Sequence, residues 1–333
     1  MSMPFAITLF FAGAAVSLGS SWVVVSRIER VGSRLGAPEA LLGLISALAA
    51  DAPEITSAVT ALLAHHREVG AGVVIGSNVL NLAALLGLGS IVAGVVALHR
   101  RVVVFQGLIA AWVALACLAT VTGLVTPAIG LVVALVVLIP YALLAALDGS
   151  RWWLRPDPSS LRRWLTRAIA EEELELSAII HPRRGRPRDA AVGGAALVVV
   201  VIASVAMEQA AARLGVRLSV PGVLVGGTVL AAVTSLPNAV AAIYWAKRGR
   251  GVAMLSTALN SNALNVVAGF LLPSMLIGVG GRSVQEALMA WWYVGLTSVV
   301  LSLAFVQRGL RRPAGWLIVL CYLAFVAVLT AVS

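Results

Sequence analysis

Apolar runs, each separated by a short polar or Arg-bearing segment, recur along the whole chain. A helix needs about 20 consecutive apolar residues to cross a bilayer. Ten such runs are read, near 4–25, 37–64, 70–97, 102–122, 124–147, 189–212, 219–246, 251–279, 286–306 and 313–333. The alternating short segments of a transmembrane β-barrel do not occur. The pattern therefore predicts an all-α polytopic membrane protein with ten transmembrane helices. The first run lacks the basic flank of a leader peptide and is read as the first span.

The longest polar segment, 148–188, lies between the fifth and sixth runs and divides the chain into 1–147, 148–188 and 189–333. Five spans are an odd number, so the second half enters the membrane turned over. Related halves would then form an inverted-topology pair. Within the linker, apolar residues at 161, 164, 165, 168 and 169 have helical spacing. Flanking Arg and Trp would let that helix lie on a membrane surface. Its acidic cluster, Glu171, Glu172, Glu173 and Glu175, reads as a solvated face before it reads as a regulatory cation site.

A shift of 184 positions brings the halves into register. Pro53 falls on Pro237, Glu54 on Asn238, Ser77 on Ser261, Asn78 on Asn262, Asn81 on Asn265 and Gly43 on Gly227, with no gap between residues 43 and 84. These are polar or helix-breaking residues inside apolar runs, where chance does not readily align them. They constitute an internal repeat.

Each repeat carries two spans with a defect near the middle. In one span the defect is a proline, in ADAPE (50–54) and TSLPN (234–238). Proline removes a backbone donor and frees carbonyl oxygens one turn back. In the other it is a polar cluster, in GSNVLN (76–81) and NSNALN (260–265). A single Ser-Asn pair in a membrane helix usually only packs against its neighbours. Four clusters in register, together with the costly buried acids Asp51 and Glu54, instead point to ion handling. Free carbonyls, hydroxyls, amides and carboxylates suit a hard cation, and broken helices at the midplane are where secondary transporters place their ions.

Composition agrees with the pattern: 333 residues are 60% hydrophobic and 11% charged, with mean hydropathy +1.00. The net charge of +10 would raise nucleic acid as a partner in a soluble chain. Here the basic residues sit in short loops, so nucleic acid is not expected. With the N-terminus outside, inside loops hold 20 of the 24 Lys and Arg residues. The positive-inside rule thus favours an N-out, C-out orientation. The excess of Arg over Lys suggests a GC-rich genome, and a plasma membrane of bacterial type is the expected location. Cys117 and Cys321 lie in apolar runs and read as packing residues. His65 and His66, at the end of the second run, are a weak metal pair, and Glu208 reads as an acid at the membrane edge. No G-x-x-x-x-G-K-[ST] motif is present, which argues against a nucleotide-driven pump within the chain.

At TSLPN (234–238), VIGSNVLN (74–81) and ALNSNALN (258–265) the chain resembles the cation/calcium exchanger superfamily, typified by sodium/calcium exchangers. The resemblance covers nearly the whole chain. It implies two inverted repeats and alternating access, with spans one and six as a long tilted pair beside the core. By motif position, Glu54 is the central carboxylate ligand, and Ser77, Asn81, Thr234, Ser235, Ser261 and Asn265 fall on ligand or near-ligand positions. The chain departs from the pattern at Asn238, where the family usually has Glu, and at Asn265, where sodium/calcium exchangers usually have Asp. Ala50-Asp51 replaces Thr-Ser in the first repeat. Asp51 would then restore a charge lost at position 238.

The expected function is secondary-active antiport of Ca2+ against Na+ at a site of Asp51, Glu54, Ser77, Asn81, Thr234, Ser235, Asn238, Ser261 and Asn265. Two close carboxylates in a low-dielectric site resist joint ionisation, which keeps a proton-coupled antiporter as the alternative. A degenerate, non-transporting exchanger serving as sensor or scaffold is a further one. Inorganic cations and the lipid bilayer are the expected partners. No cofactor or enzymatic activity is expected, and a monomer suffices.

Overall fold

The computed structural model describes residues 2–37, 39–146, 164, 167–168, 185–278 and 283–333. The expected surface helix of the linker and its acidic cluster lie almost wholly outside the described residues. Of that helix, only 164, 167 and 168 are described, and they are helical.

Two helices are much longer than the runs that predicted them. Helix α1 (Met3–Leu35) has 33 residues and α8 (Pro187–Arg217) has 31. At 1.5 Å per residue each is about 45–50 Å long, against roughly 30 Å of hydrocarbon. They run antiparallel. Near the middle the Ser17 and Ser204 hydroxyls meet at 2.7 Å, and at one end Arg27 pairs with Asp189. Gly13 permits the close approach, since a Cβ there would stand 2.9 Å from the Ala203 carbonyl oxygen. Helix α1 stops at Gly36, whose φ of 69° turns the chain back so that the next N–H, at Ala37, reaches the Gly32 carbonyl. At the start of α8, Pro187 sits in the first turn, and the Asp189 carboxylate accepts from the Arg186 N–H at 2.6 Å.

Helices α2 (Glu39–Ala50) and α3 (Ala52–Leu63) are broken at Asp51. In the second half, α9 (Gly222–Leu224), the π-helical segment Val225–Leu230 and α10 (Ala231–Thr234) are separated from α11 (Leu236–Lys247) by a break at Ser235. The two breaks share a backbone conformation, φ −82° with ψ 1° at Asp51 and φ −82° with ψ 0° at Ser235. Each has a proline two residues on. Pro53 has no N–H to give the Ala49 carbonyl; the Ser21 hydroxyl of α1 lies within 3.2 Å of the Ala49 and Ala50 carbonyls and donates there.

The two polar-cluster spans form the centre. Helix α4 (Arg67–Asn81) continues through a π-helical segment, Leu82–Leu88, into α5 (Gly89–Ala93). Later, α12 (Gly251–Leu264) continues through the π-helical segment Asn265–Leu271 into α13 (Leu272–Ile277). Both π segments begin at the end of the Asn-bearing motif. Such widened turns are frequent at functional sites. Glycine lets α4 lie against the backbone of the 225–230 segment: a Cβ at Gly76 would be 2.3 Å from the Gly227 carbonyl oxygen, and one at Gly226 would be 2.2 Å from that of Val69.

Helices α6 (Arg100–Val121), α7 (Pro127–Ala146), α14 (Val284–Gln307) and α15 (Arg312–Val332) complete the bundle. A short antiparallel ribbon, absent from the all-α expectation, pairs β1 (Val95–Ala97) with β2 (Gly309–Arg311). Among the described residues, eight helices are long and apolar enough to cross a membrane. There are nine if residues 222–247, bent by 45°, count as one span. Helices α2 and α3, at 12 residues each, are too short to cross singly.

Candidate cation site

The broken helices and the polar-cluster helices meet in the middle of the bundle. Asp51 and Glu54 are wholly buried, as are Ser77, Asn78, Asn81, Ser261, Asn262 and Asn265. Asp51 and Glu54 stand three residues apart, a spacing that places side chains next to one another on a helix. Ser235 donates to Glu54 Oε1 at 3.2 Å, so the break of one half caps the carboxylate of the other. Ser261 donates to Asp51 Oδ1 at 2.8 Å, and the Asn238 amide donates to the same oxygen at 3.1 Å. Asn81 donates to Ser261 Oγ and Asn262 Oδ1, both at 3.2 Å.

Beside this network lies a reciprocal pair. The Asn78 amide donates to the Asn262 carbonyl, and the Asn262 amide donates to the Asn78 carbonyl, each at 3.0 Å. The residues are 184 apart, so each half makes the same bond to the other. The Tyr293 hydroxyl of α14 lies beside both side chains. Asn265 donates to Asn78 Oδ1 at 3.3 Å.

Four oxygens in this region are buried with no hydrogen-bond partner: Asp51 Oδ2, Glu54 Oε2, Ser57 Oγ and Asn265 Oδ1. Buried polar atoms are ordinarily satisfied, and each exception needs a reason. Among the described residues no group of three or more His, Cys, Asp or Glu could hold a metal ion. A ligand set here would therefore mix two carboxylates with hydroxyls and amides, the chemistry of a hard, weakly held cation.

The structure brings four of the nine expected site residues into one hydrogen-bonded cluster, Asp51, Asn81, Asn238 and Ser261, and joins two more, Glu54 and Ser235, as a separate pair. Asn265 joins through Asn78. The other two hydroxyls bond their own helices: Ser77 gives its proton to the Val74 carbonyl, and Thr234 to that of Leu230. Asn78, Asn262 and Ser57 lie in the same region and were not among the expected site residues. The 184-residue register marked the first two, whereas Ser57 had no signal beyond lying one turn after Glu54. Glu208, expected as an acid at the membrane edge, is fully buried within the protein. His66, half exposed, faces it with Nδ1 3.7 Å from Oε1. That pair is a carboxylate contact, not a two-histidine metal site. Beside it opens a cavity of about 810 Å3, lined in part by His66, Arg67, Glu68 and Glu286.

A core of broken and π-widened helices meeting at buried acids, flanked by one long antiparallel pair, is the build of a membrane cation transporter. The family model described as sodium/calcium exchanger protein matches residues 5–148 and 190–331, and the chain belongs to that family. The family is one of transporters. Over 116 residues, 33% of the chain, it is 30% identical to the sodium/potassium/calcium exchanger Nckx30C of Drosophila melanogaster. Over 82 residues, 24% of the chain, it is 35% identical to CaxA of Alkalimonas amylolytica. These matches span only 13% and 26% of those relatives' own lengths. Among solved structures, the chain resembles the sodium-calcium exchanger NCX_Mj, with TM-score 0.64 and 18% identity over 98% of this chain and 99% of that one. It also resembles the H+/Ca2+ exchanger CAX, with TM-score 0.69 and 13% identity over 98% and 85% of the two chains. At those identities the likeness concerns the fold.

Proposed function

We propose that the chain is a secondary-active antiporter that moves Ca2+ against Na+ by alternating access at the Asp51–Glu54 cluster. The observation that carries this reading is that both buried acids keep one oxygen bonded and one unpartnered, beside two further unpartnered oxygens. Ca2+ takes six to eight oxygens at about 2.3–2.6 Å; two carboxylates with amide and hydroxyl oxygens are the right kind of donor. The ligands of this reading are Asp51, Glu54, Asn81, Ser235, Ser261 and Asn265, with Ser77, Thr234 and Asn238 able to join by side-chain rotation. The names of the relatives, each of which includes calcium or belongs to an exchanger fold, support the same substrate.

In this reading 1–147 and 189–333 are inverted five-helix repeats joined by a cytoplasmic linker. Counting Glu39–Leu63 and 222–247 each as one broken traverse makes ten spans. Support comes from the matched breaks, the matched π segments and the reciprocal asparagine bonds. The distribution of basic residues supports N-out, C-out placement in a plasma membrane.

A proton-coupled antiporter is the second reading. It is favoured by the two acids lying close together in one buried region, which opposes their joint ionisation. The test is tracer Ca2+ uptake into proteoliposomes under an outward Na+ gradient, an outward H+ gradient and none, with Glu54→Gln alongside. Uptake driven by Na+ and lost in that variant is the expected result. Uptake driven only by H+ would move the chain to the second reading. Normal uptake in folded Glu54→Gln would remove the site assignment. No flux under any gradient would leave transport of another cation or a non-transporting homologue.

A further inference from the structure

Asn238 is 4% exposed, and its amide nitrogen faces three oxygens: Asp51 Oδ1 at 3.1 Å, Asn81 Oδ1 at 3.3 Å and Ser261 Oγ at 3.4 Å. A carboxamide has two N–H hydrogens, so three acceptors crowd around two donors. The oxygens come from three elements: the α2–α3 break, α4 and α12. They are a carboxylate, an amide oxygen and a hydroxyl, the same donor types that would surround a hard cation. Asp51 Oδ1 is fully taken up, because Ser261 and Asn238 both donate to it and a carboxylate oxygen has about two lone-pair sites.

We propose that the Asn238 amide nitrogen is a tethered competitor of the transported cation, which must displace it to reach Asp51 Oδ1 and Asn81 Oδ1. The inference rests on the reading of this cluster as a cation site. The amide carries partial positive charge and holds the oxygens at N–H···O distance. A Ca2+ ion would draw them in by about 0.7 Å. Cation binding therefore works against hydrogen bonds to a charged group, and the amide lowers affinity. It also offers the acid a replacement partner when the ion leaves, which speeds release. A residue at a ligand position thereby tunes the site through its donor rather than its oxygen. The rival role is that Asn238 holds Asp51 in place while the cation binds at Asp51 Oδ2 and Glu54 Oε2, the two unpartnered oxygens.

The two roles differ in sign. Equilibrium 45Ca2+ binding and vesicle uptake are measured on the full chain carrying Asn238→Ala or Asn238→Leu; the second keeps the side-chain bulk and removes the donor. Competition predicts Ca2+ binding at least about threefold tighter with slower turnover in both variants. In the wild-type protein solved with Sr2+, the Asn238 nitrogen should have left hydrogen-bonding reach of Asp51. Asp51→Asn and Glu54→Gln separate the two levels of the argument. If they lower Ca2+ binding while both Asn238 variants bind as wild type or more weakly, the cation site stands and the competitor is overturned. If they leave binding unchanged, the site reading itself fails and the competitor falls with it. Should neither Asn238 variant fold, an Asn238 nitrogen still bonded to Asp51 in the Sr2+-loaded protein overturns the proposal.

Discussion

Asp51 stands at a break where the matching position of the other half is Ser235, and the two residues share one backbone conformation. A serine at a break can give one hydroxyl; an aspartate gives two oxygens and a charge. Asp51 uses one oxygen to gather Ser261 and Asn238 and leaves the other unpartnered. Asp51→Ser should therefore weaken Ca2+ binding by about 1.5–3 kcal/mol, roughly 10- to 150-fold in Kd, measured by calorimetry on the purified protein. Unchanged affinity would leave Asp51 as an organiser of the cluster only. The acids, hydroxyls and amides of this cluster were legible in the sequence because polar atoms inside apolar runs are costly and stand out. The direction of each hydroxyl was not. Ser77 and Thr234 carry the right chemistry at the right positions, yet a helix offers every Ser and Thr its own carbonyls one turn back, and both take that bond. The burial of Glu208 was hidden for a related reason: its position near the end of an apolar run did not show that α8 extends to Arg217 and covers that turn.

Among the elements, the breaks were the most legible, because proline announces the loss of a backbone bond. What replaces that bond was not. Ser21 looks like any small residue in an apolar helix, and only the packing of α1 brings it to the Ala49 and Ala50 carbonyls. The π segments were also hidden: nothing in LAALLGL or NVVAGFL distinguishes a widened turn from an α-helical one. Helices α1 and α8 run past the apolar stretches 4–25 and 189–212, and beyond the first of them Arg27 stays in register with α8 through Asp189. One close backbone approach is the seam between α4 and the 225–230 segment. A methyl group at Gly76 would stand 2.3 Å from the Gly227 carbonyl oxygen and 2.6 Å from its Cα, and neither can step aside as a flexible side chain could. Gly76→Ala should cost about 1–3 kcal/mol or more, read as a lowered unfolding temperature in detergent. Gly295→Ala, which meets nothing within 4 Å, should be near neutral. Equal behaviour of the two would mean that the seam is loose.

For the molecule as a whole, the all-helical membrane architecture was legible from hydropathy alone, since lipid forces long apolar helices on any chain that spans it with them. The β1–β2 ribbon was not, because three-residue strands carry too little pattern. Orientation is tested directly. In a chain whose Cys117 and Cys321 have been replaced, Arg217→Cys and Lys247→Cys place single thiols at exposed helix ends. With the N-terminus outside, an impermeant maleimide added to intact cells should label the first and should reach the second only after permeabilisation. The reverse pattern would invert the topology.

The Asn78–Asn262 exchange, in which each half gives the other the same bond, has a consequence for how such a site can change. Two identical subunits meeting at that point would carry every acid twice, so their central charge could alter only in steps of two. One chain holding both halves is free of that parity. It can keep Asp51 and Glu54 on one side and place Ser235 and Asn238 opposite them. A single codon can then move the charge of the centre by one, while the asparagines that weld the halves stay where they are.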